Sequence, residues 1–144
     1  MPLIRAARPE DIPKLASIER SAASIFREAN LSWVAEGETL PPASLAEFCR
    51  DGSLWVAVTD DDEPVGFLAA HELDEAFFIA EVSVAMSHQR QGIGRELIRR
   101  TQDACSPETR LVLLSAPKSV DYYPRVGFTR HEQCWQLTPG KRCL

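Results

Sequence analysis

The sequence predicts an α/β fold built on one central sheet of mixed strand direction. Apolar stretches of strand length alternate along the chain with stretches whose apolar residues recur every three or four positions. In order, these patterns give strand, two helices, three strands, helix, strand, helix and strand. With 144 residues, 44% hydrophobic and 26% charged, the chain has the size and composition of one globular domain, which we take to be residues 1–144.

The first part of the chain predicts one strand and two helices. Residues 3–7 read as a short strand, and the following Pro9-Glu10-Asp11 is typical of the first turn of a helix. A shorter helix is predicted from residue 42 or 43 to about residue 50, where Asp51-Gly52 ends it. The apolar residues at helical spacing in the first helix are Ile12, Leu15, Ile18, Ala22, Ile25, Phe26 and Ala29.

Three strands separated by acidic turns come next, at residues 53–59, 64–71 and 76–84. A helix is predicted at about 92–104, and the continuous apolar run at 110–116 suits a strand that is covered on both faces. Residues 117–123 predict a short helix, and residues 129–137 predict a last strand or pair of strands. The expected mixed sheet therefore has six to seven strands and about four flanking helices.

The composition argues against several classes of function. A net charge of −5 disfavours general nucleic-acid binding. No apolar run approaches the roughly 18 residues that a membrane-spanning helix needs, and no signal-peptide pattern is seen, so we expect a cytoplasmic protein without membrane association. The four cysteines and three histidines are scattered without ligand spacing, so we expect neither a metal site nor a disulfide framework.

The most informative stretch joins the strand that ends at Val84 to the helix after it. Glycine at positions 92 and 94 lets backbone N–H groups approach an anion closely and accepts a positive φ. The first helical turn adds unpaired N–H donors and the positive end of the helix dipole. Residues 88–100 also hold four arginines against one glutamate. The loop therefore predicts a phosphate or pyrophosphate site, although it matches neither a P-loop nor a dinucleotide fingerprint, whose third glycine is replaced by Leu97.

Three motifs resemble those of the GNAT superfamily of N-acetyltransferases. The pattern Gln89-x-x-Gly92-x-Gly94 resembles its acyl-CoA pyrophosphate loop, and Glu81-Val82-Ser83-Val84 resembles its fourth strand. Tyr123-Pro124-Arg125-Val126-Gly127-Phe128 resembles its late Tyr-x-x-x-Gly-Phe signature. Because the three matches are in register from residue 3 to about residue 137, the chain is identified as a GNAT member, which implies a GNAT-type mixed sheet.

The resemblance implies that acetyl-CoA binds as the acyl donor. Backbone groups of Val82, Ser83 and Val84 would pair with the pantetheine arm in a gap between the fourth and fifth strands. The asparagine that the family often has near the end of the fifth strand is replaced here by Ser115, Ala116 and Pro117, so that contact is not expected. The residues that would hold the pyrophosphate are Gln89, Arg90, Gln91, Gly92, Ile93, Gly94 and Arg95.

The implied reaction is direct attack of a neutral primary amine on the thioester. Tyr123 matches the tyrosine that in many relatives protonates the departing CoA thiolate, and a phenol of pKa near ~10 suits a thiol of pKa near ~8.5. Glu81 is the candidate that accepts the proton of the amine, with binding of the substrate's charge or exposure to solvent as its alternatives. His71 and His88 are weaker candidates for the base.

The acceptor is left open by the sequence. We expect an acetyltransferase acting on a small-molecule amine. A protein N-terminal or lysine acetyltransferase and a non-catalytic acyl-CoA-binding regulatory module are the alternatives, and the family makes a homodimer possible. The acceptor pocket implied by the resemblance is lined by Phe26, Glu28, Asn30, Trp33, Glu36, Glu38 and Trp135.

Overall fold

The computed structural model describes residues 2–28, 39–115 and 119–144, with the backbone alone for residues 24–28. The chain divides into two compact units, Met1–Leu114 and Ser115–Leu144, and each is described by itself. The single domain expected over residues 1–144 stays a prediction.

The first unit contains a five-stranded sheet in the order β1-β2-β3-β4-β5. Each of the first four strands is antiparallel to its neighbour, and β5 is parallel to β4, so the mixed direction is confirmed. The strands are β1 Leu3–Ala6, β2 Leu54–Val58, β3 Pro64–Leu73, β4 Ala76–Val84 and β5 Arg110–Val112.

The expected four helices are found in the described part of the chain. Short 3-10 turns precede two of them, at Pro9–Asp11 and at Met86–His88. None of the described helices is long and apolar enough to cross a membrane. The helices are α1 Ile12–Glu28, α2 Pro42–Arg50, α3 Ile93–Asp103 and α4 Tyr122–Arg125.

The two faces of the sheet are covered by different helices. Leu15 and Ile18 of α1, with Leu45 of α2, pack on one face against alternate residues of β2 and β3, such as Val56 and Phe67. Because side chains alternate along a strand, the residues between them face the other side, where α3 packs on β2, β3 and β4. The apolar stripe predicted for the first helix is therefore confirmed at Leu15 and Ile18, and Ile12 packs against the same cluster.

A β-bulge interrupts β4 and opens one edge of the sheet. Glu81 pairs with Ala69 while Ile79 pairs with Ala70, so Ala80 is an extra residue on β4. A bulge bends its strand and increases the local twist. On the other edge of β4, the pairing with β5 ends at Phe78↔Val112. Beyond that point, no strand in the described ranges pairs with residues 79–84 from the β5 side.

Two expectations for the late chain are wrong. The strand predicted at 110–116 ends at Val112, next to the point where the bulge turns β4 away. The strand or pair of strands predicted at 129–137 is not formed, so the sheet has five strands rather than six to seven. In that segment Nδ1 of His131 accepts the backbone N–H of Gln133, a local turn that competes with strand pairing. Trp135, in the same segment, is 91% exposed.

Candidate active site

The loop between β4 and α3 has the backbone expected of an anion-binding turn. Gly92 has a φ of 81° and immediately precedes α3, so the left-handed conformation that favours glycine is present here. Arg90 also has a positive φ, 64°. The Glu96 N–H donates to Gly92 O at 3.1 Å, which begins the helical hydrogen bonding. The N–H groups of residues 93–95 therefore have no intrahelical acceptor and are available to a ligand at the positive end of the helix.

Two hydrogen bonds fasten this loop to the rest of the first unit. The Gln89 side-chain amide donates to the Val84 carbonyl at 2.9 Å, which closes the loop back on the end of β4. The Met86 backbone N–H donates to Ser21 Oγ on α1, also at 2.9 Å. The loop is thus positioned by β4 and by α1 before any ligand arrives. The Gln89 side chain therefore has a structural role in closing the loop.

The four arginines of the loop and α3 have different surroundings. Arg99 pairs with Glu96 at 2.6 Å, and the guanidinium of Arg100 lies 4.8 Å from the centre of the Trp55 ring. The side chains of Arg90 and Arg95 are exposed, and no acid of the described residues forms an ion pair with either of them. The positive charge left for an external anion is therefore that of Arg90 and Arg95.

The open edge of β4 presents backbone groups next to the loop. Ala85 N–H donates to Val65 O at 2.8 Å, so the alternation of an antiparallel pair turns the backbone of Ser83 and Glu81 toward β3. The same alternation turns Val82 and Val84 toward the side that β5 leaves unpaired. Val84 O already accepts from Gln89, and the Val82 N–H donates to the Glu81 carboxyl. The groups left at this edge are therefore the Val82 C=O and the Val84 N–H.

Ser83 has a different position from its two neighbours. Its side chain is buried, and its Oγ donates to Glu81 Oε1 at 2.8 Å. The register places Ser83 opposite Phe67 and Glu81 opposite Ala69, so both side chains lie on the sheet face that α1 covers. Ser83 therefore orients the Glu81 carboxyl instead of presenting its backbone at the open edge.

Glu81 meets a second carboxyl on that face. The Glu19 carboxyl, on α1, lies close enough to the Glu81 carboxyl to act on it through its charge and by hydrogen bonding. Removal from water raises the pKa of Glu81 to about 7, with the charge and hydrogen bond of Glu19 adding to the rise and the bonds from Ser83 Oγ and the Val82 N–H opposing it. Burial also raises the pKa of Glu19, against the Leu40 N–H that donates to its Oε1 at 3.0 Å. A carboxyl with a pKa near neutrality is suited to exchange a proton at physiological pH.

Tyr123 lies in the second unit, within α4. Its ring makes an edge-to-face contact with Phe128, with 5.4 Å between ring centres, and the Phe128 N–H donates to the Tyr123 carbonyl at 3.0 Å. Tyr122 makes a second edge-to-face contact with the same ring, with 5.2 Å between ring centres. Gly127, with a φ of 103°, makes the turn between Tyr123 and Phe128. The Tyr-x-x-x-Gly-Phe motif is thus a local packing unit that holds the Tyr123 ring.

The remaining predicted residues fall in two groups. His71 stacks on Phe48 and makes a tilted ring contact with Phe78. His88 Nδ1 lies 2.8 Å from Ser87 Oγ, so neither imidazole contacts the Glu81 carboxyl. In the ranges that the structure covers, no group of three or more His, Cys, Asp or Glu side chains is arranged to hold a metal ion. Of the acceptor pocket, Asn30, Trp33, Glu36, Glu38 and the side chains of Phe26 and Glu28 lie outside the described residues.

Glu19 is the site residue that sequence reasoning missed. It follows Leu15 by four positions and Ile18 by one, so it borders the apolar stripe of α1. A carboxylate at such a position is a weak signal of a buried polar contact. Its partner is 62 positions later on another element, and no local pattern connects the two.

Residues 24–136 match the sequence profile of a family described as acetyltransferase (GNAT) domain. The chain belongs to the GNAT acetyltransferase family. It is 32% identical over 128 residues to peptidyl-lysine N-acetyltransferase YjaB of Salmonella typhimurium, a match that covers 87% of this chain and 81% of that protein. The YjaB protein of Escherichia coli, with the same name, is 29% identical over 128 residues, covering 87% and 80%.

Solved structures show the same GNAT fold. Rv2747 of Mycobacterium tuberculosis, in complex with CoA and NLQ, matches with a TM-score of 0.69 and 22% identity, covering 91% of this chain and 74% of that one. A predicted acetyltransferase of Clostridium acetobutylicum with acetyl-CoA matches with a TM-score of 0.69 and 14% identity, covering 96% of both chains. At these identities the two structures establish the GNAT fold of the chain and nothing finer.

Proposed function

We propose that this GNAT protein transfers the acetyl group of acetyl-CoA to the side-chain amine of a lysine in a peptide or protein. The observation that carries the proposal is the position of the Glu81 carboxyl, withdrawn from water beside the unpaired edge of β4 and four residues before the anion-binding loop begins at Ala85. A proton acceptor and a donor-binding edge on one strand are what direct transfer to an amine requires.

The residues of the chain fit acetyl-CoA. Val82 and Val84 would bind the amide groups of the pantetheine arm, as an added strand would. The N–H groups of residues 93–95, with Arg90 and Arg95, would hold the pyrophosphate, and Gly92 lets the backbone turn there. Two structures of similar fold contain CoA or acetyl-CoA. When bound, acetyl-CoA supplies the activated acetyl carbonyl.

Glu81 is assigned the proton of the acceptor amine. A lysine amine of pKa near ~10.4 is mostly protonated at neutral pH, and its deprotonation requires a base. Ionised Glu81, oriented by Ser83 Oγ, accepts that proton, directly or through a water molecule, so that the lone pair can attack. Tyr123 is assigned the proton given to the departing sulfur on the strength of its motif, with its ring held by Phe128.

A lysine acceptor replaces the small-molecule amine that the sequence favoured, since the two YjaB proteins reported above are named peptidyl-lysine N-acetyltransferases. The paired carboxyls favour an enzyme over a binding module, because a half-buried acid of raised pKa is typical of a group that exchanges protons in a reaction. All four cysteines are free thiols, which supports action in the reducing cytoplasm.

The acceptor is tested by measuring CoA release with acetyl-CoA and three kinds of amine at equal concentration. These are a peptide with one lysine and a blocked N-terminus, the same peptide with arginine for lysine and a free N-terminus, and a set of small polyamines. We expect kcat/KM to be largest for the lysine peptide, with a mass gain of one acetyl group on lysine. A larger value for the polyamines or for the free N-terminus would overturn the proposed acceptor.

A further inference from the structure

The reaction proposed above assigns no role to Glu19. It lies on the sheet-facing side of α1, between the core residues Leu15 and Ile18 and the loop-binding Ser21. A carboxylate at the edge of an apolar core is costly unless it is hydrogen-bonded or shares a proton. Glu19 therefore needs its partners, and those partners indicate what it does.

Two groups on separate elements hold the Glu19 carboxyl. The backbone N–H of Leu40, just before α2, donates to Oε1 at 3.0 Å. The Glu81 carboxyl, on β4 and oriented by Ser83 Oγ at 2.8 Å, lies beside it and interacts with it. Two carboxyl groups can hydrogen-bond to one another only if one of them carries a proton. A pair in this position, with one member on α1 and the other on β4, can therefore hold one proton between its two carboxyls.

The surroundings leave this proton to the two glutamates. Across the β3 register the residue opposite Glu81 is Ala69, and the nearest titratable group on β3, His71, pairs instead with Phe78. On α1 the charge that acts on Glu19 is that of Arg20, whose side chain is exposed. Ser83 Oγ donates to Glu81 without titrating in the physiological range. In this part of the chain, the Glu81 carboxyl has Glu19 as its acidic partner.

We infer that Glu19 is a positioning residue for acetyl transfer: it shares one proton with Glu81 and, anchored by the Leu40 N–H, fixes the Glu81 carboxyl at the open edge of β4. This inference rests on the proposed function of Glu81. Glu19 need not touch the substrate, because it acts through Glu81. Its negative charge keeps Glu81 protonated to a higher pH and so makes ionised Glu81 a stronger base than an ordinary carboxylate.

The first test uses the unaltered protein. The two side-chain carboxyls are followed by ¹³C NMR from about pH 3 to pH 9, with resonances assigned from Glu19→Gln and Glu81→Gln. Two carboxyls that share a proton titrate in two steps, each visible at both resonances. Independent single-step curves for Glu19 and Glu81 would overturn the inference, and this readout does not depend on any catalytic activity.

The second test compares Glu19→Gln with Glu47→Gln, which removes an exposed carboxyl from α2. The glutamine still accepts the Leu40 N–H but removes the charge and the shared proton, so the acidic limb of kcat/KM moves to lower pH. With a pKa near 7, about one tenth of Glu81 is ionised at pH 6, so the activity at pH 6 relative to the plateau rises by up to about tenfold. The titration of the amine is common to all proteins and cancels in the ratio of variant to unaltered protein.

The outcomes distinguish a failure of the proposed function from a failure of the positioning role of Glu19. An unaltered protein that acetylates no amine contradicts the proposed function, and the NMR titration still decides the pairing. An active protein in which Glu19→Gln lowers the rate equally at every pH contradicts the positioning role, because loss of packing alone would do the same. Glu47→Gln should leave both the NMR titration of Glu81 and the pH profile unchanged.

Discussion

Glu81 shows how one residue acquires a chemical role from its surroundings. Its carboxyl leaves water on the α1 side of the sheet, accepts Ser83 Oγ, and lies beside the carboxyl of Glu19. Burial and a neighbouring negative charge both disfavour the ionised form, and they bring the pKa of Glu81 to about 7. A base with that pKa is partly ionised at neutral pH and still takes a proton readily.

The first prediction at this scale concerns activity. Glu81→Gln keeps the size of the side chain but cannot accept a proton, so kcat/KM for a lysine peptide should fall by roughly 10²- to 10³-fold while the affinity for acetyl-CoA stays unchanged. In the unaltered protein the rate should fall as the pH drops below about 7, because Glu81 is then protonated. Steady-state rates across pH and a calorimetric titration check both parts. A Glu81→Gln protein with full activity excludes Glu81 as the base.

The second prediction concerns stability and has a definite sign. Because the pKa of Glu81 is raised in the folded state, the folded protein binds this proton more tightly than the unfolded chain does. The resulting stabilisation is complete below the unfolded pKa, near 4.5, and is lost as the pH rises through about 7. The glutamine of Glu81→Gln does not titrate, so the variant does not lose this stabilisation. Its free energy of unfolding, relative to that of the unaltered protein, should therefore rise by roughly 1–3 kcal/mol between pH 4.5 and pH 8.5.

Denaturant unfolding at the two pH values measures that gain, with Glu47→Gln as the matched control on an exposed surface. A difference between Glu81→Gln and the unaltered protein that does not change with pH would contradict the raised pKa. A change of the opposite sign would mean that the folded state favours the ionised carboxyl. Together with the activity profile, this experiment separates the ionisation of Glu81 from its contribution to packing.

At the scale of elements, β4 and the loop after it form the donor-binding part of the proposed site. The bulge at Ala80 and the short β5 leave the β4 edge unpaired just before the loop, and Gly92 turns the chain into α3. Gln89 ties the loop back to Val84. The strand-loop-helix order was predictable because apolar spacing and glycine position are local signals. The bulge was not predictable from the sequence. Ala80 lies in an apolar run without a glycine, and the extra residue is seen only in the pairing of β4 with β3.

The loop arginines give a prediction that belongs to this scale. Replacing Arg90 and Arg95 together by glutamine should weaken acetyl-CoA binding about tenfold at low salt, because both exposed guanidinium groups are available to phosphate oxygens. The loss should shrink as added salt screens the charges. Arg99→Gln is the control, since Arg99 already pairs with Glu96. Equal affinity of the double variant and the control would remove Arg90 and Arg95 from the donor site.

At the scale of the whole molecule, the sequence predicted the mixed sheet, the four helices and the GNAT family correctly. These depend on patterns repeated along the chain. The errors have two other causes, a local hydrogen bond made by a side chain and a contact between residues distant in sequence. The strand expected at 129–137 is replaced by a turn at His131. No sequence motif indicates Glu19 as a site residue, because its partner Glu81 lies on another element. The role of Tyr123 as the acid stays a prediction, as does the homodimer.

The central claim is that the loop before α3 binds acetyl-CoA, and calorimetric titration with acetyl-CoA tests it most directly. The unaltered protein should bind at a ratio of one to one, and Gly92→Glu should not bind, because a side chain and a negative charge enter the loop at a φ of 81°. Gly52→Glu is the matched control: its φ is 73°, an added Cβ meets nothing within 4 Å, and it ends α2 rather than the loop. Binding by the unaltered protein and by Gly52→Glu, but not by Gly92→Glu, is the predicted result. No binding by the unaltered protein, or equal binding by all three proteins, would contradict the account.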